Sequence, residues 1–169
     1  VLPQKGVQVE GMVYTQCDYR YPTEYPVATI NNYGKGKIAA FFMDMSVAYN
    51  QYRNPVFNNL IRNVISALIP DPQVKVTGSD NVHVVLGKKN RRAYLHLINS
   101  SGDHFNKNVM AYNELLSTGS LKITYKTTTK PLSVKLQPTG EQINFTYAGN
   151  RIEFVVPPVS VHSIVEIAL

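Results

Sequence analysis

The chain has no tryptophan, one cysteine, and 11 acidic residues against 17 lysines and arginines. Each shortage removes a class of answers. The single thiol, Cys17, rules out an internal disulfide framework and leaves no thiol pair for a metal. No stretch approaches the ~20 consecutive apolar residues that a bilayer-crossing helix needs, so membrane insertion is not expected. The few acids, among them Asp44, Asp71, Asp80, Glu114, Glu141 and Glu153, are spread over expected turns and strands. They show no obvious pairing of the kind a glycosidase uses, with two carboxyls about 5 to 10 Å apart. The excess of base gives a formal net charge of +6, yet apart from Lys88-Lys89-Asn90-Arg91-Arg92 the basic residues stand singly. So short a cluster reads as a solvated hairpin tip, and nucleic acid is not expected as a partner.

What is present is a core-forming composition, 44% hydrophobic over 169 residues, enough for one ordinary domain or two small ones. Two textures divide it near Pro70 to Gln73. Before that point, Val7 to Tyr14 and Val27 to Asn31 read as strands, and Lys37 to Met43 as a strand buried on both faces. "NPVFNNLIRNVISALIP" then places Val56, Leu60, Ile61, Val64, Ile65 and Leu68 at helical spacing, with Asn54 as N-cap and Pro55 at the first helical position. Pro70-Asp71-Pro72 ends this one long helix. Beyond it, short β-branched or alternating runs recur every ten or so residues between turn signals such as Pro138-Thr-Gly140 and Ala148-Gly-Asn150, the signature of a β-sandwich. Only 104–119, holding "VMAYNELL", resists assignment: one helical turn or a crossing loop. The expected fold is therefore α+β, a partial α/β layer of strands and one long helix (1–71) packed beside an antiparallel β-sandwich (72–169). The first part is too small and strand-poor to make a good independent domain. Together with the start at Val1, this suggests a processed product or a piece of a longer polypeptide.

Several motifs invite a functional reading. Gly34-Lys-Gly-Lys37 resembles a phosphate cradle, but a phosphate loop leads into a helix, whereas here a strand leaves, so a hairpin turn is expected. Cys17, in "YTQCDYRYP", lacks the small neighbours of a nucleophile elbow and reads as an inert thiol. His83 and His96 could face each other across a hairpin, although two histidines without a third ligand are weak evidence for a metal. Asp44 follows the apolar strand, where α/β sites tend to lie, and otherwise reads as a cap. Tyr19, Tyr21, Tyr25, Tyr49 and Tyr52 crowd the first part and could stack on sugar or anchor an interface. Sugar-binding sandwiches often rely on tryptophan, so its absence favours the interface.

The run "YPVATINNYGKGKIAAFFMDMSVAYNQYRNPVFNNLIRNVISALI", Tyr25 to Ile69, resembles the end of the glutamine-amidotransferase-like domain behind the catalytic barrel of many bacterial glycoside hydrolases, the trimerisation-type domain of certain β-galactosidases. "VHVVLGKKNRRAYLHLINSSG", Val82 to Gly102, and "VVPPVSVHSIVEI", Val155 to Ile167, are similar to the opening and closing strands of the C-terminal sandwich of those enzymes. The resemblance implies a non-catalytic accessory region that supports folding or assembly. Its partner would be an upstream catalytic domain of the same polypeptide, and a homo-oligomer fits the family. It further implies a periplasmic or extracellular setting, no cofactor, and no catalytic or metal-binding residue in this chain. The alternative is a carbohydrate-binding module holding a glycan through its tyrosines or sandwich loops.

Overall fold

The computed structural model describes residues 2–16, 18–52, 54–102 and 114–169. Cys17 and most of the 104–119 span fall outside them. The chain divides into two compact units, Val1–Pro72 and Gln73–Leu169. It is mostly β, with three antiparallel sheets and two helices among the described residues.

The first unit holds β1 (Gln8–Tyr14), β2 (Pro22–Tyr33) and β3 (Gly36–Phe41), followed by helices α1 (Met45–Tyr52) and α2 (Pro55–Leu68). The strands form one antiparallel sheet in the order β1-β2-β3. Asn54 caps α2, its side-chain oxygen accepting from the Val56 N–H at 2.9 Å, with Pro55 opening the helix as its preset φ favours. The inner stripe of α2, Leu60, Val64 and Ala67, packs on Ala28 and Ile30 of β2 and Ala39 of β3.

Two expectations change here. The helix is not alone, because Met45–Tyr52 forms α1, too short for a clear helical period in the sequence. The apolar strand is also not buried on both faces. β3 is an edge strand, and α2 covers one side of the sheet only. On the other side the register aligns Val9 with Thr29, Thr29 with Ala40, and Asn31 with Ile38, and Ile38 is 53% exposed. The apolar run came from a sheet with one covered face, not from a strand buried between two layers.

The second unit contains β4 (Val74–Thr77), β5 (Val82–Lys89), β6 (Arg92–Asn99), β7 (Leu121–Lys126), β8 (Ser133–Gln137), β9 (Glu141–Gln142), β10 (Phe145–Ala148), β11 (Arg151–Val156) and β12 (His162–Ala168). A four-stranded sheet, β10-β11-β7-β4, and a five-stranded sheet, β5-β6-β12-β8-β9, contribute to one apolar core. Strict alternation builds it: Ala93, Leu95 and Leu97 of β6 point in, as do Ile152, Phe154 and Val156 of β11, while the residues between them point out. The tight reversals use the positive φ that two-residue hairpin turns demand, at Asn90-Arg91 and at Gly149-Asn150. Gly78 (φ +113°) is fixed by close approach as well, since a Cβ there would lie 2.5 Å from the Ser120 carbonyl oxygen.

Candidate functional site

The Gly34-to-Lys37 loop is a hairpin turn, with Gly34 at φ +58° and Tyr33 paired with Gly36. Its surroundings decide its chemistry. The Lys37 ammonium donates to the Ala67 carbonyl at 3.2 Å, in the last turn of α2, so the loop sits at the carbonyl end of a helix. That end carries partial negative charge and attracts cations, the opposite of what a phosphate requires. Lys37 is therefore a helix-end cap rather than an anion ligand.

Asp44 is likewise a cap. Its carboxylate accepts from the Val47 N–H at 3.1 Å and the Ser46 hydroxyl at 2.8 Å, and these bonds, the backbone one first, hold it below the usual carboxylate range. It faces no second acid at those contacts. Glu166, nearly buried on β12, is held by Arg92 and by the Gln137 amide at 2.9 Å, so it also serves structure.

The five candidate tyrosines are all exposed. Tyr21 immediately precedes β2 and Tyr25 lies within it, Tyr49 and Tyr52 are on α1, and Tyr19 comes before them at 83% exposure. A separate open groove of about 570 Å³ lies on the second unit, lined by Lys122, Gln142, Asn144, Phe145, Glu153 and Val155 among others, with a Lys122–Glu153 ion pair at 2.9 Å on its wall.

Histidines meet differently from the sequence expectation. His83 pairs with Ile98 and His96 with Val85, so these two residues are diagonal neighbours across the hairpin rather than directly opposite, and His162 on the other flank of β6 also pairs with Ile98. His96 instead meets His162 of β12, Nδ1 to Nε2 at 3.2 Å. The ring planes lie 10° apart, and their 5.3 Å centroid separation is close to the largest that such a nitrogen contact allows. The contact is thus end-on in a shared plane, one N–H donating to the bare nitrogen of the other ring. Sequence reasoning missed it because it depends on β12 pairing with β6, a long-range choice. Its signal was present, a histidine in each of two strands expected to belong to one sandwich.

Asn99 ends β6 and is buried with every amide atom used. Its Nδ2 donates to the carbonyls of Leu116 and Ser160, both at 2.8 Å, and of Val159 at 3.2 Å, while Oδ1 accepts from the N–H and hydroxyl of Ser101. The side chain ties three segments together, a scaffold role.

No protein-family model and no curated protein matches this sequence. Among solved structures, α-L-fucosidase isoenzyme 2 from Paenibacillus thiaminolyticus aligns over 92% of this chain at a TM-score of 0.69 and 16% identity. In fold, the chain is similar to part of a glycoside hydrolase. It spans 25% of the length of that fucosidase. A catalytic mutant of a GH42 β-galactosidase from G. stearothermophilus aligns over 89% of this chain and 17% of its own, with a TM-score of 0.37 and 17% identity.

Proposed function

We propose that this chain is a non-catalytic accessory region of a glycoside hydrolase, in which residues 1–71 are the end of an amidotransferase-like layer and residues 72–169 a C-terminal sandwich. Its partner is the catalytic domain of the same polypeptide, in a periplasmic or extracellular enzyme. The observation that carries this reading is the surface of the first unit. Val9 and Ile38 on the uncovered sheet face, Val56 and Ile65 on α2, and the tyrosines of β2 and α1 are all large apolar or aromatic side chains left exposed, a concentration beyond the scattered single ones of an ordinary surface. The similarity to a quarter-length portion of a fucosidase supplies the kind of neighbour such a surface would meet.

Two measurements test the proposal. The purified chain should not turn over aryl glycosides, and turnover would overturn it. Hydroxyl-radical footprinting should show Tyr19, Tyr25 and Tyr52 modified more slowly in the longer polypeptide than in this chain alone; equal rates would contradict docking.

A second reading, glycan binding, has its own support in the open groove of the second unit, where an amide, a carboxylate and an ammonium flank the apolar Val155 and Phe145. Calorimetric titration that stays flat against plant and host polysaccharides would remove it.

A further inference from the structure

The outward face of the five-stranded sheet brings two imidazole nitrogens into direct contact. β6 and β12 form a continuous antiparallel ladder from His162 opposite Ile98 to Ala168 opposite Arg92, which fixes both backbones. On it, His96 Nδ1 and His162 Nε2 lie 3.2 Å apart. A cation about 2.0–2.1 Å from each nitrogen would subtend an angle of about 100° at the metal, between the square and tetrahedral values. The rings now aim at one another, so a cation would replace their hydrogen bond; χ2 of histidine is a broad, soft torsion, and turning both rings about it moves the nitrogens and their lone pairs toward the solvent side while the strands stay in place.

The surroundings permit a cation. His162 is exposed and His96 half-exposed, so water can complete the coordination. Among the described residues no group of three or more His, Cys, Asp or Glu converges, and of these the site takes two ligands, with water in the other positions.

We propose that His96 and His162 form a two-histidine site for a late first-row divalent cation, with Cu2+ held more tightly than Zn2+ in keeping with the affinity order for imidazole ligands. The site belongs to the sandwich itself and does not depend on the accessory-region reading.

Calorimetric titration of the whole chain with Zn2+ and, separately, Cu2+ tests it, after alkylation of Cys17 so that the thiol does not compete. One ion should bind, and His96→Ala and His162→Ala should each weaken binding by about tenfold or more. His83→Ala, at the histidine of β5, should leave affinity within about twofold, since the nitrogen contact of His96 is with His162. Circular dichroism establishes that each variant is folded, and His162→Asn replaces His162→Ala if the latter is not. A loss smaller than tenfold at either position, or an equal loss in His83→Ala, overturns the proposal. A second readout is thermal: Zn2+ should raise the unfolding midpoint of the unsubstituted chain and leave that of His96→Ala unmoved, and equal shifts would contradict the site.

Discussion

The two units differ most in what they hide. Among the described residues, Gln73–Leu169 buries fourteen apolar residues in one cluster between two sheets, whereas the corresponding cluster of Val1–Pro72 holds three, Ala28, Ile30 and Val64. Full burial of a Val, Leu or Ile side chain stabilises by about 1.5–3 kcal/mol, so the second unit has ample gain to set against chain entropy and the first has little. Exposure tells the same story, since most of the large apolar side chains left in water belong to the first unit. One region is a finished core. The other is one layer of sheet and helix with apolar surface left over.

That contrast can be broken most severely in the second unit. Gly78→Ala drives a Cβ against the Ser120 carbonyl at a φ that L side chains rarely adopt, and should cost about 3–5 kcal/mol in urea-induced unfolding of the sandwich. Asn99→Leu follows, at about 2–3 kcal/mol, because carbonyls of Leu116, Val159 and Ser160 lose a buried donor. Matched truncations sharpen the comparison. Val134→Ala, at a fully buried site of β8, should cost about 2 kcal/mol, and Val64→Ala less than half as much, since the thin layer around α2 can collapse or admit water. Ile38→Asp, on the uncovered sheet face, should shift stability by less than about 0.5 kcal/mol while reducing self-association in sedimentation velocity.

The smallest effect is electrostatic. The hydrogen bond and charge of Lys122 hold Glu153 below the usual carboxylate range, and both groups are about half exposed. Because the folded pKa lies under the unfolded one, the contribution is present above the unfolded carboxylate pKa and is lost as pH falls through the folded value. Acid titration of Glu153→Gln should therefore show a slightly weaker fall in sandwich stability on acidification than the unsubstituted chain, most visibly at low salt.

Much of this was legible in the residues. The α2 boundaries followed from Asn54, Pro55 and the proline pair after it, because capping chemistry is local. Strands such as Ser133–Gln137 and Arg151–Val156 followed from alternation and turn residues. What escaped depended on distant partners. Lys37 to Met43 looked buried on both faces because a run of apolar residues does not say how many layers cover it. The contact of His96 with His162 escaped because the hairpin neighbour, β5, is local and β12 lies far along the chain. Of the candidate functional residues, Asp44 became a cap and Lys37 a helix-end cap, and the tyrosines remain the exposed surface on which the proposed docking rests.

Hydrogen exchange of backbone amides, measured on this chain and on the longer polypeptide that joins it to the catalytic domain the proposal requires, tests the central claim most directly. In the chain alone, amides of β6, β7, β11 and β12 should exchange only through global unfolding, while those of β1 to β3 and α2 exchange orders of magnitude faster. In the longer polypeptide the second set should slow toward the first. Equal protection of the two units in the isolated chain, or no gain for the first unit in the longer polypeptide, would contradict the account.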